Sequence, residues 1–231
     1  MAHFVFMLTH DDRTVDNAHE IMPTLADTGL QYVGFKDVGA DLEKQRQLVG
    51  LAHDAGFEVM LEVVSTSKEA EMSSLRSAAE AGFDWVLGGT HGAETAGMLP
   101  DGVRYCPFPG KVVDHPSVLL GSIDEIAADA ARLSALDHVG GLDLLAYRHP
   151  SADPLELIRK VTASSSGPVI VAGSIASVER AVAVSEAGAW GYTIGSAIFD
   201  GLLPGAPSIA EQVRRVLEET AAAADAAQGS T

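Results

Sequence analysis

The feature that most narrows what this chain can fold into is an alternation. Eight short apolar runs (FVFML, YVGF, EVMLEVV, WVLGG, RYCPF, GLDLLAY, PVIVAG and GYTIG) punctuate residues 4–195. Each is continuous and rich in Val, Ile, Leu or aromatic residues, as strands of a parallel sheet covered on both faces are. Between most of them lie amphipathic segments such as DLEKQRQLVGLAHDAG, KEAEMSSLRSAAEAG, SIDEIAADAARLSAL, PLELIRKVTA and SVERAVAVSEAG. Three segments, HDAGFEV, AEAGFDWV and SEAGAWGYTI, run from a helix through Ala-Gly straight into a strand. A glycine there suits the left-handed position that stops a helix. Eight strand signals joined by helical crossovers predict an α/β fold, a single (β/α)8 TIM barrel over residues 1–231. Periodicity does not report closure, so an open doubly wound sheet is the alternative. A last helix is expected from Ser208 to Ala227, with a frayed tail over about 225–231.

Composition excludes several partners. The formal charge of −17 lacks the basic footprint that nucleic acid and anionic membranes require. No apolar run reaches the ~18 residues of a spanning helix. The N-terminal MAHFVFMLTHDD has no basic stretch before its apolar residues and reads as a first strand, not a signal peptide. Cys106 has no second cysteine to pair with, so a cytoplasmic location is expected. Nothing around Cys106 would activate its thiol, and a core position is expected for it.

Two of the runs end in the same way. VIVAGSIASVERAVAVSEAGAWGYTIGSAIFDG, residues 169–201, carries Gly173-Ser174 and Gly195-Ser196, each at the end of an apolar run and before a helix. At the C-terminal mouth of a barrel, glycine admits an anion close to the backbone, serine offers a hydroxyl, and successive N–H groups point at the ligand. Gly173, Ser174, Gly195 and Ser196 are therefore candidate phosphate-binding residues; plain turn chemistry is the competing explanation. SAIFDG reads as a short extra helix.

This stretch resembles the paired phosphate motif of the ribulose-phosphate-binding barrels, a group of phosphosugar isomerases, epimerases and decarboxylases. The resemblance covers roughly the last quarter of the chain. It implies a phosphorylated small-molecule substrate and leaves the reaction open, because the group spans several chemistries. In its phosphosugar isomerases an aspartate at the end of strand 1 is catalytic, and Asp11 looks like the counterpart. Their partner aspartate on strand 5 is missing, since that strand reads RYCPFPGK. The Asp-x-Lys-x-x-Asp set of the decarboxylases is missing from EVVSTSK as well. Barrels of this kind often pair, so a homo-oligomer is an expectation.

Candidate chemistry comes from the strand ends. Lys36 in YVGFKDVG would sit at the mouth, as an imine-forming nucleophile, an electrostatic stabiliser or a phosphate ligand; a lysine that simply reaches solvent is the bland alternative. Glu62 breaks the apolar run VMLEVV, which is costly without a partner or a purpose. Lys36 and Glu62 on neighbouring strands would make a base beside a stabiliser, or else a structural ion pair. Asp11 completes the catalytic set, while Asp12 is assigned to capping a first helix from about Thr14. His10, His91, Asp143 and Arg148 are candidate substrate contacts, and Tyr147 and Lys111 lie near the same rim. Three of these, His10, Asp11 and His91, could be metal ligands, but no short-spaced ligand pair supports a metal, and no metal or cofactor is expected. The favoured function is an isomerase or epimerase acting on a small phosphorylated sugar or sugar acid through an enediolate. A lyase of aldolase or decarboxylase type using Lys36 is the alternative, and a non-catalytic phosphometabolite-binding barrel is the third.

Overall fold

The computed structural model describes residues 1–65, 67–204 and 207–228. Eight parallel strands carry the architecture: β1 (His3–Met7), β2 (Tyr32–Lys36), β3 (Glu58–Val63), β4 (Trp85–Gly88), β5 (Arg104–Cys106), β6 (Leu142–Leu144), β7 (Val169–Val171) and β8 (Gly191–Ile194). They pair in the order β6-β7-β8-β1-β2-β3-β4-β5. The two ends of the sheet approach where Tyr105 bridges Val139 and the Gly140 N–H donates to the Tyr105 carbonyl at 2.8 Å. The result is a nearly closed (β/α)8 barrel, not an open sheet.

Side-chain alternation along the strands makes two cores. Val5, Met7, Met60, Leu87, Cys106 and Ile170 fill the barrel interior. Phe4, Phe6, Val33, Phe35, Val59 and Leu61 belong to the larger core between sheet and helices. At the N-terminal end the interior is plugged by aromatic rings: Trp190 packs on His3 and Trp85 with centroids 4.4 and 4.9 Å apart. The Arg104 guanidinium lies 4.4 Å from the Trp85 ring centre, and Trp85 Nε1 donates to Glu58 at 2.7 Å. The buried charged cluster of Lys36, Glu62 and Asp12 lies at the other end.

The helices are α1 (Ala18–Ile21), α2 (Leu42–Asp54), α3 (Lys68–Ala81), α4 (Gly92–Thr95), α5 (Ile123–Ser134), α6 (Pro154–Ser164), α7 (Val178–Glu186), α8 (Ser196–Phe199) and α9 (Ile209–Gln228). Asp41, Ser67, Ser122, Asp153 and Ser177 each accept a hydrogen bond from the backbone N–H three residues on, which starts α2, α3, α5, α6 and α7. The Ala-Gly stops behave as predicted: Gly82 ends α3 at φ +85°, with Gly56 and Gly188 in the same region. No helix among the described residues is long and apolar enough to cross a membrane.

Two expectations are corrected. Thr14 does not begin a helix; it sits in a small hairpin, Thr9–His10 with Arg13–Thr14, and α1 begins at Ala18. The segment after β5 forms a hairpin of Lys111–Val113 with Val118–Leu120. Residues 225–228 continue α9, as the alanine-rich sequence favours, in place of fraying; 229–231 lie outside the described residues.

Candidate active site

The register of β2 against β3 sets Lys36 directly beside Glu62, so both side chains enter the barrel from the same end. Lys36 Nζ is 3.5 Å from Glu62 Oε1 and 2.5 Å from Asp12 Oδ1. Arg148 grips Asp12 through both oxygens, Nη1 to Oδ2 at 3.1 Å and Nη2 to Oδ1 at 3.0 Å. Lys36 is 5% exposed and Glu62 4%, so these charges meet with little water between them. Burial works against ionising Asp12, but the Arg148 hydrogen bonds and the Lys36 charge outweigh it and hold the carboxyl well below the usual carboxylate range.

The strand-1 aspartate in this cluster is Asp12, not Asp11. Asp11 and Asp12 are the two loop residues of the Thr9–Thr14 hairpin, with φ of +47° and +57°. Positive φ at both positions is the signature of the two-residue turn that matches strand twist, and aspartate tolerates it. The turn throws Asp11 outward, 87% exposed at its side chain, and turns Asp12 in. Thr14 anchors the hairpin: its hydroxyl donates to the Lys36 carbonyl at 2.7 Å and accepts from the Lys36 N–H at 3.0 Å. Asp12 is therefore no helix cap, and Asp11 does not touch Lys36.

A cavity of about 190 Å³ lies over the cluster, and Asp12, Lys36, Glu62 and Arg148 share its wall with Gly173, Ser174, Gly195 and Ser196. Both glycines are required by close approach. A Cβ at Gly173 would come within 2.4 Å of Arg148 Nε, and one at Gly195 within 2.7 Å of Thr9 Oγ1. Ser174 is itself left-handed at φ +60°. Among the described residues nothing accepts from the N–H groups of Ser174, Ile175, Gly195 or Ser196. A wider outer chamber of about 480 Å³, reached past Arg148 and Ser174, is bordered by Asp11, Tyr147 and the hairpin residues Pro116 and Ser117.

Comparison with known proteins reports on the architecture only. No family model matches the sequence, and no curated protein does. Solved structures do. A native KDPGal structure superposes with a TM-score of 0.67 at 16% identity, covering 96% of each chain. Orotidine 5′-phosphate decarboxylase from Pyrococcus horikoshii OT3 gives 0.65 at 17%, covering 94% of this chain and 98% of that one. A tryptophan synthase from M. tuberculosis gives 0.64 at 16%, covering 96% and 93%. The likeness is one of fold. At these identities the side chains at the mouth have to speak for themselves.

The remaining candidates divide. His10 stays at the rim, its Nε2 2.8 Å from Asp200 Oδ1 and its ring beside Phe199. The Asp200 hydrogen bond raises its pKa against a small opposing effect of burial. His91 is drawn out of the site. Its Nδ1 meets Glu71 Oε2 at 3.0 Å, and the buried Glu71 also binds the Thr90 and His91 N–H groups and the Thr95 hydroxyl. That carboxylate holds the loop after β4 in shape. Lys111 is exposed on its hairpin. Tyr147 borders the outer chamber with Arg180 stacked 4.6 Å from its ring centre. Cys106 is fully buried, and burial pushes its thiol up. Asp143 is wholly buried inside the barrel and lies outside the cavity wall.

Proposed function

We propose that the protein is an enzyme that isomerises or epimerises a small phosphorylated sugar or sugar acid through an enediolate. The observation that carries this reading is the pairing of one ammonium, Lys36, with the carboxylates Asp12 and Glu62 across a small cavity from two loops of free backbone N–H groups. The phosphate is held by the N–H groups of Ser174, Ile175, Gly195 and Ser196, aided by the two serine hydroxyls, which fixes the carbonyl end over Lys36 and Glu62. Glu62, ion-paired with Lys36 at 3.5 Å, takes the proton from the carbon next to the carbonyl. The C–H electron pair becomes the C=C bond, and the carbonyl electrons move onto oxygen, where the Lys36 ammonium faces the growing charge. Passing the hydroxyl proton from one enediolate oxygen to the other and returning the abstracted proton from Glu62 to the neighbouring carbon completes isomerisation; epimerisation instead takes a proton from water on the opposite face of the same carbon, while Glu62 gives up its own to solvent. Asp12 and Arg148 keep Lys36 in place.

Lys36→Ala and Glu62→Gln should each lower kcat/KM at least about a hundredfold. Retained turnover in both variants would sink the reading. A lyase is the second reading, favoured by a nearly buried primary amine in the cavity wall. Imine formation would require Lys36 to leave both ion pairs and lose its proton. Borohydride trapping with candidate phosphoketoses separates the two: a stable adduct on Lys36 means lyase, and turnover without an adduct means isomerase.

A further inference from the structure

Asp143, in the middle of β6, is wholly buried, and neither carboxyl oxygen has a hydrogen-bond partner. An ionised carboxylate without a donor in a dry interior is so costly that the group keeps a proton instead. Its surroundings lead to the same state. Lys36 faces it from β2, Glu62 from β3, Cys106 from β5 and Arg148 from the turn after β6, with Asp12 behind Arg148; its neighbour on β7, Ile170, is uncharged. Lys36 and Arg148 bring two positive charges and Asp12 and Glu62 two negative ones, so the cluster balances before Asp143 is counted. Burial first and Glu62 second push the Asp143 carboxyl well above its usual range, with Lys36 and Arg148 opposing. Two neighbouring carboxyl groups share one proton more easily than they both ionise. Glu62 has Lys36 at 3.5 Å, and Asp143 has no such contact.

We propose that Asp143 carries a proton in the resting site and acts as a positioning residue that leaves Glu62 the ionised member of the pair. The role, though not the protonation, rests on the reading of Glu62 as the base. Ionising Asp143 at alkaline pH adds an unbalanced negative charge beside Lys36, which opposes the enediolate and shuts turnover down.

The direct test is infrared spectroscopy of the full chain at neutral pH, with isotope-labelled aspartate. A protonated-carboxyl C=O band that moves with the label and shifts in D2O supports the proposal, and Asp143→Asn should abolish it. Because the labelled wild-type protein suffices, the test survives a variant that does not fold. Only ionised aspartate bands would overturn the proposal. In turnover, Asp143→Asn should move the alkaline limb of the kcat/KM profile up by about one pH unit or more; an unchanged limb overturns the role. The infrared result stands apart from catalysis, so loss of the band and loss of the isomerase reading are separate outcomes.

Discussion

Asp12 shows how much one side chain can be made to do. It accepts from Lys36 at 2.5 Å and from both Arg148 nitrogens, and so links the ends of β1, β2 and β6. Its carboxyl is held below the range it has in the unfolded chain. The folded state therefore binds that proton less readily, and the stabilisation is complete above the unfolded carboxylate range and lost as pH falls through and below it. Asp12→Asn should cost about 3–5 kcal/mol at neutral pH, because it leaves Lys36 and Arg148 short of a buried counter-charge. Urea unfolding across a pH series should show the variant losing less stability than wild type from about pH 5 downward. An equally steep acid limb in both would contradict the assignment. The pairing of Lys36 with Glu62 was readable from the sequence, since each stands at the mouth-ward end of its strand and strand periodicity gives neighbours one face. The choice between Asp11 and Asp12 was not. In a turn with two left-handed residues the alternation of strands no longer says which way a side chain points.

At the scale of elements, the Thr9–Thr14 hairpin is the device that converts a barrel strand into a site. It is two residues on each side, too short to be stable by itself. Thr14 holds it by satisfying both backbone groups of Lys36. Thr14→Val keeps the shape and leaves those groups unpaired, at a cost of about 1–3 kcal/mol. Turnover should fall by about ten- to a hundredfold as Asp12 loses its place. Hydrogen exchange at the hairpin amides should accelerate while that of β5 and β6 stays unchanged; uniform acceleration would instead mean global destabilisation. The helices, by contrast, were legible from residues alone, because amphipathic periodicity and stops such as Gly82 act within a few turns of chain. The place of His91 was not legible, for the opposite reason: its partner Glu71 is twenty residues away on α3, buried, and marked by nothing in the local pattern.

For the whole molecule, the barrel keeps an aromatic plug and a charged cluster apart along its axis. The aromatic plug of Trp85, Trp190, Tyr32 and His3 sits at one end and the charged cluster at the other. Trp85 is 1% exposed, and Trp85→Ala should destabilise by about 3–5 kcal/mol in urea. Affinity for inorganic phosphate at the mouth should change less than about twofold, as distant sites with no shared partners behave nearly independently. A large loss of phosphate affinity would show that the two ends are coupled. By itself the sequence determined the eight-fold alternation, the Ala-Gly helix stops, the Gly-Ser turns and the placing of Lys36 and Glu62 at the ends of neighbouring strands, all of which follow from short-range sterics and strand periodicity. Closure of the sheet, the inward turn of Asp12, the capture of His91 by Glu71 and the isolation of Asp143 were decided by tertiary structure. Each depends on groups far apart in the chain meeting where water is excluded, and there a charge's state is set by its neighbours in space.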